Sequence, residues 1–185
     1  MNMKWVKILY FILSILFLVY LFIPGSRSIS DIPNLPNSER SNLSGDTTEI
    51  PEIKAFFSNN YRDFVMAFYK NEFYKLSRLP FLPFKLNYPP EYAYTAIKDQ
   101  TRSTYLEVLY YPFRDSLFIN GYEPFDIEGK PRFEGATKFV QDDSYLTKVT
   151  LRYYPSSYSS RLLVWILINL SIYLLYKITP KVFRN

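Results

Sequence analysis

The chain has 185 residues, 19% of them aromatic, and contains neither Cys nor His. That length allows one modest domain with accessory segments. The missing Cys excludes disulfides, thiolate nucleophiles and Cys-ligated zinc or iron–sulfur centres, and the missing His removes the usual general base and the commonest transition-metal ligand. The formal charge of +5 sits at the two ends: Lys4, Lys7, Lys177, Lys181 and Arg184 have no Asp or Glu near them. This leaves 17 of the 22 basic residues against all 17 acidic ones between residues 24 and 161. A neutral middle lacks the electrostatic footprint of a nucleic-acid binder, so no nucleic-acid partner is expected.

Ile8 to Ile23 (ILYFILSILFLVYLFI) is an uncharged run of sixteen residues with Ser14 its one strongly polar member. As a helix it covers ~24 Å, and Trp5 and Lys7 extend the span at the interface. A retained signal anchor is expected. The alternative is a cleaved signal peptide, with Ser26-Arg27-Ser28 at the cleavage site, but the run is long and bulky for that role and has no A-x-A. Leu162 to Tyr176 (LLVWILINLSIYLLY) is a second uncharged run, bracketed by Arg161 and Lys177, which can snorkel. Trp165, Tyr173 and Tyr176 are candidate interface anchors. The run is short, so tilt or bilayer thinning is expected to absorb the mismatch. Asn169 and Ser171 lie near its middle. They either hydrogen-bond to a neighbouring helix, with Ser14 as the nearest candidate, or are simply tolerated there. Basic flanks on both tails predict cytoplasmic termini and a central segment of 138 residues outside.

Residues 24–49 hold six Ser, three Pro, three Asn and two Gly, without a single aromatic, whereas residues 50–161 hold 26 aromatics. So little apolar surface predicts a flexible linker over 26–49. Asn42-Leu43-Ser44 is a formal glycosylation triplet, relevant only in a eukaryotic secretory route.

Glu49-Ile50-Pro51-Glu52 has the composition of a helix N-terminus, and Asn60-x-x-Asp63 can supply a fresh cap. Tyr61, Val65, Phe68, Tyr69, Phe73 and Leu76 then fall on one stripe of an amphipathic helix, which reads as core rather than as a ligand platform. Four prolines in 79–90 predict an irregular segment. Pro89-Pro90-Glu91 opens a second helix running to about Ser103, with Ala93, Ala96, Ile97 and Gln100 on one side. Residues 104–111 read as a strand, with continuation of the helix as the alternative. Further strands are expected at 116–122, 132–140 and 145–154, with Gln141-Asp142-Asp143-Ser144 as a hairpin turn. In the last strand Tyr145, Val149, Leu151 and Tyr153 share one face and Lys148, Thr150 and Arg152 the other. That pattern predicts an antiparallel sheet with helices on a single side, lying close to the membrane because the link at 156–160 is short.

The predicted fold is therefore α+β: two or more N-terminal helices, then a small antiparallel sheet of about four strands, flanked by two transmembrane helices. The expected organisation is 1–25, cytoplasmic tail and first span; 26–49, linker; 50–155, extracytoplasmic domain; 156–179, short link and second span; and 180–185, cytoplasmic tail. Candidate interface anchors are Trp5, Lys7, Arg161, Trp165, Tyr176 and Lys177, and the intramembrane polar residues are Ser14, Asn169 and Ser171.

Paired carboxylates are the one catalytic device this composition leaves. Asp142-Asp143 reads as a solvated turn, and Asp126-x-Glu128-Gly129 lacks calcium-loop spacing. Glu91, Asp99 and Glu107 share an arc only if the second helix runs on through 107. Lys98, Asp99, Arg102, Arg114 and Asp115 are expected to form surface ion pairs. Phosphate loops, dinucleotide fingerprints, nucleophile elbows and S-x-x-K are all absent from the sequence. No catalytic residue, metal or cofactor is therefore expected. The reading is a non-enzymatic envelope protein of a prokaryotic cell membrane, whose partners are the lipid bilayer and a protein or second copy of itself. Alternatives are a cell-wall glycan-binding module using Tyr and Phe as stacking platforms, or a carboxylate-dependent wall hydrolase.

Overall fold

An unbroken apolar run without Gly or Pro makes α1 (Met3–Phe22) a single helix of twenty residues, which stops just ahead of Pro24-Gly25. After it come β1 (Ser38–Arg40), β2 (Ile53–Ser58), α2 (Arg62–Ser77), β3 (Phe84–Tyr88), the short α3 (Ala93–Ala96), β4 (Tyr105–Tyr110), β5 (Ser116–Tyr122), β6 (Phe139–Val140), β7 (Ser144–Tyr145), β8 (Thr147–Tyr154) and α4 (Tyr158–Val182). This computed structural model describes residues 3–44, 46, 50–97 and 102–182. The chain divides into two compact units, Met1–Pro24 with Ser156–Asn185, and Gly25–Pro155.

In the first unit, Lys4–Phe22 and Tyr158–Thr179 are two helices long and apolar enough to cross a membrane. α4 has 25 residues, so it is about 38 Å long at 1.5 Å per residue. It extends past both Arg161 and Lys177.

The second unit is α+β. Its main sheet is antiparallel throughout and has six strands in the order β1-β2-β8-β5-β4-β3; β6 and β7 form a separate two-stranded hairpin. The last strand in the chain thus lies at the centre of the sheet, between β2 and β5. Registered partners share a face, so Lys54, Phe56, Val149, Leu151, Tyr153, Leu117, Ile119, Glu107 and Leu109 point to one side. α2 covers this side: the Phe73 ring meets those of Tyr111 and Tyr153, and Val65, Met66 and Tyr69 are buried with it. On the opposite side Ile53 and Leu106 pack with Ala93 and Ile97, while Phe118 joins from β5.

Several expectations are corrected. The sheet has six strands rather than about four, and helices do not precede it: β1 and β2 come before α2, and β3 before α3. Helices pack on both faces rather than one, which is why Thr150 is as buried as its neighbours Val149 and Leu151. The segment read as a flexible linker contains a 3-10 turn at Ile29–Asp31, capped by Ser28 and Asp31, and then β1. Ile29, Ile32 and Leu35, spaced three apart, are buried, and Lys54 Nζ donates to the Ile32 carbonyl at 2.8 Å.

The supposed helix start at 50–52 leads into β2, whose six residues are all buried. Glu49 lies outside the described residues, as do Lys98, Asp99 and Gln100 of the second predicted helix. Among the described residues of that helix are a 3-10 turn at Pro90–Tyr92 and the single turn of α3. The prolines of 79–90 flank a strand instead of forbidding one, and the strand expected over 132–140 pairs only at Phe139–Val140. Residues 105–110 form a strand and not a helical extension.

Candidate functional site

The predicted intramembrane residues meet along one seam of the first unit. On α1 the half-covered positions are Tyr10, Ser14, Phe17, Leu18 and Tyr20, with Leu21 fully buried; on α4 Arg161 is buried and Val164, Trp165, Ile168 and Asn169 are half-covered. Spacings of three and four residues place each set on one helical stripe. Ser14 Oγ donates to Asn169 Oδ1 at 2.8 Å, and the Tyr10 hydroxyl donates to the same oxygen. Trp165 Nε1 donates to the Ser14 carbonyl at 2.9 Å, and the Arg161 guanidinium to the Leu21 carbonyl at 3.0 Å. Residues 21, 14 and 10 thus face 161, 165 and 169 in turn, so the helices run antiparallel. The start of α1 and the end of α4 therefore lie at the same end of the pair.

Each contact meets a need that such helices would have in lipid. A side-chain amide or hydroxyl in hydrocarbon requires a protein partner, and Leu21 belongs to the last turn of α1, where carbonyls lack helical donors. Ser171 satisfies itself by donating to the Leu167 carbonyl at 2.8 Å, and Asn169 Nδ2 donates to the Trp165 carbonyl. Trp5, Tyr176 and Lys177 are exposed and lie outside the seam, as does Lys7; Lys177 Nζ lies 5.7 Å from the Tyr173 ring centroid.

Among the described residues of the second unit the most deeply placed acid is Glu107, 0% exposed on the α2 side of β4. The sequence hinted at this, because Glu107 alternates in phase with Tyr105, Leu109 and Tyr111. Arg62, the first residue of α2, grips Glu107 Oε1 through its guanidinium, and Lys85 Nζ stands 3.0 Å from Oε2. Glu123, just beyond β5, accepts the Arg62 main-chain N–H at 2.7 Å and lies 3.5 Å from the Arg132 guanidinium. The carboxylate therefore caps α2 from a distant part of the chain. Burial pushes the Glu123 pKa up, and the Arg62 N–H and the charges of Arg132 and Arg62 offset part of that rise.

The Tyr105 ring lies beneath the Arg62 guanidinium at 5.5 Å and covers Gly121. Burial, reinforced by Glu123 and Glu107, holds the Tyr105 phenol well above its usual pKa. This chemistry is that of a clamp: two buried carboxylates are each met by cations, and together they fasten the first turn of α2 to β4 and β5.

The other acidic candidates fall elsewhere. Asp126 closes a turn by accepting the Lys130 N–H at 2.8 Å, and Glu128 pairs with Lys130 in solvent. Asp142 and Asp143 occupy the β6–β7 turn, as its composition predicts. Arg114 and Asp115 are buried in the β4–β5 turn, correcting their reading as surface ions. Arg102 reaches the Tyr122 hydroxyl at 3.5 Å. A cluster that the sequence did not signal joins Lys148 to both oxygens of Asp46, each at 2.8 Å, with Ser41 on the same carboxylate. Among the described residues no group of three or more acidic side chains is placed to hold a metal ion. The chain matches no family model, no curated protein and no solved structure.

Proposed function

We propose that this is a two-span membrane protein of a prokaryotic envelope, with both termini in the cytoplasm and the Gly25–Pro155 domain presented outside as a non-enzymatic interaction module. Support for the anchoring is the seam: Tyr10, Ser14 and Leu21 of α1 are partners of Asn169, Trp165 and Arg161, a pairing that favours a retained helix over a discarded leader. Support for the orientation is the purely basic character of both tails, combined with the antiparallel pairing of the helices.

One observation carries the interaction reading. β3 is an edge strand whose five residues are all exposed, with Phe84, Leu86 and Tyr88 alternating onto one face. An open edge with apolar alternation accepts an added strand, main-chain hydrogen bonds giving affinity and side-chain pockets giving selectivity. The proposed occupant is an extended segment of a partner protein. Phe84 and Tyr88 extend the surface inward through ring contacts with Tyr110 and Phe118.

Two measurements test this. Protease added outside spheroplasts is expected to cut the chain within the exposed 126–138 loop; protection until the membrane is permeabilised overturns the orientation. A photo-crosslinking residue at Leu86 in native membranes is expected to yield one discrete heterologous adduct. A homodimeric adduct, or none, overturns the partner reading.

A further inference from the structure

Both covalent connections of the Gly25–Pro155 domain leave from the same end of its sheet. Gly25 sits against the turn between β4 and β5, where a Cβ would lie 3.0 Å from Asp115 Oδ2 and 3.1 Å from the Arg114 guanidinium. The Ser26 carbonyl accepts the Tyr153 hydroxyl at 2.8 Å, and the outgoing strand ends at Tyr154 in register with Ser116, which pairs with Tyr110.

The side chains at this end are inverted relative to a water-facing turn. Its charged residues, Arg114 and Asp115, are buried, whereas Phe113 at the tip is 57% exposed. Phe113 adopts φ 59°, a left-handed conformation that is an outlier for a bulky residue. Backbone strain is thus accepted here to direct an aromatic ring outward. Beside it Phe81 and Leu82 are exposed, and their segment is tied to the turn by the Tyr111 hydroxyl donating to the Phe81 carbonyl at 3.1 Å, with the two rings edge to face at 5.6 Å. Tyr154, at the same end, is held against the other face: its hydroxyl donates to the Ala96 carbonyl at 2.7 Å and its ring meets that of Phe118. The opposite end, by contrast, carries the charged loop containing Asp126, Glu128, Lys130 and Arg132.

We infer that Phe81, Leu82 and Phe113 form a foot that inserts into the interfacial layer of the lipid bilayer. This inference rests on the two-span reading proposed above. Only three residues separate Tyr154 from Tyr158 at the start of α4, a reach of at most about 14 Å, and Gly25 follows Pro24 directly. Any bilayer crossed by the two helices therefore lies within reach of the end from which both links depart. Aromatic and branched aliphatic side chains on a short turn are the chemistry that partitions into that layer.

The chain has no Cys, so single thiols can be placed and labelled cleanly. The full-length protein is reconstituted in phosphatidylethanolamine–phosphatidylglycerol vesicles containing lipid brominated near the top of the acyl chain. An environment-sensitive fluorophore is attached in turn to Phe113→Cys, Leu82→Cys and, at the charged end, Val140→Cys. Quenching at least twofold stronger at 113 and 82 than at 140 is expected; equal quenching at the three sites overturns the foot. If one of the foot variants fails to fold, the other still decides. Unlabelled protein reports on the helices through Trp5 and Trp165. If bromolipid leaves these unquenched, the two-span reading itself fails; if they are quenched while sites 113 and 82 are not, only the foot fails. Labels at 113 and 82 that are shielded in native membranes but not in lipid vesicles would assign the surface to a protein and overturn the lipid assignment.

Discussion

Arg161 donates to the main-chain carbonyl of Leu21 at 3.0 Å, joining the start of α4 to the end of α1 across 140 residues of sequence. Its Nε also donates to Ser156 Oγ at 2.8 Å, and its guanidinium lies 5.2 Å from the Tyr158 ring centroid. Arg161 is thus a bracket at the mouth of the helix pair as well as a flanking charge. Arg161→Met is expected to weaken the pair by about 1.5–3 kcal/mol, the scale of a charge-assisted hydrogen bond, while Arg161→Lys retains part of that. The check is SDS titration of the full chain carrying Trp5→Phe in mild detergent, followed by Trp165 fluorescence. An unchanged midpoint for Arg161→Met would remove the bracket.

Asn169 accepts from both Tyr10 and Ser14 through a single oxygen, so Asn169→Leu removes two hydrogen bonds at once. Hydrogen bonds between membrane helices are worth about 0.6–2 kcal/mol. The expected loss lies in that range and, in the same titration, exceeds that of Ser171→Ala, whose hydroxyl bonds only within its own helix.

Gly121 has no room for a side chain. A Cβ there would lie 2.0 Å from Tyr105 Cε1, and Tyr105 is itself buried. Gly121→Ala is expected to destabilise the domain by about 1–3 kcal/mol. Pairing it with Tyr105→Leu should recover part of the loss, giving a coupling energy in a denaturant double-mutant cycle; strictly additive effects would contradict the close approach.

The Glu107 clamp is asymmetric. Arg62 and Lys85 are about half exposed and regain water when Glu107 is replaced, whereas Glu107 is buried and has no such recourse. Glu107→Gln is therefore expected to cost little, and the double variant Arg62→Ala/Lys85→Ala about 3–5 kcal/mol. Urea unfolding of the three proteins checks the order, and equal losses would refute it.

Glu123 sets a pH dependence. Its folded-state pKa is raised, chiefly by burial, so the folded chain holds that proton more tightly than the unfolded chain. Its contribution is most favourable below the ordinary carboxylate pKa and declines as pH rises from there through the raised value. Glu123→Gln keeps an acceptor for the Arg62 N–H and removes the titration. The stability difference, wild type minus variant, is expected to fall across the mildly acidic range, as measured by denaturant unfolding at a series of pH values. A difference that rises with pH would reverse the assignment.

Much of this architecture is readable from residue patterns, and the misses have physical causes. The two long helices follow from uncharged runs, and β8 from the strict alternation of Val149, Leu151 and Tyr153 with Lys148, Thr150 and Arg152. β2 is hidden because both of its faces are buried, so alternation vanishes, while Pro51 and Glu52 imitate a helix start. Ile29, Ile32 and Leu35 are diluted among Ser, Asn and Pro, so their burial shows only once Lys54 and β2 supply a surface. Pro83 and Pro89 border β3 without entering it, which leaves every ladder N–H of the strand intact. Burial of Glu107 was foreshadowed by its phase on β4. The approach of Glu123 to Arg62, 61 residues earlier, comes from the strand order, which local pattern does not encode.

The placement of β8 in mid-sheet has a consequence for biogenesis. β2 and β5 are synthesised well before it and have no direct pairing with each other, so their facing edges stay open until β8 arrives. Because α4 begins four residues after that strand ends, the domain can close only as α4 is about to be made. The nascent chain must therefore be kept from aggregating until β8 has been made, and a ribosome stalled before residue 147 would leave Phe56 and Ile119 exposed to chaperones and proteases.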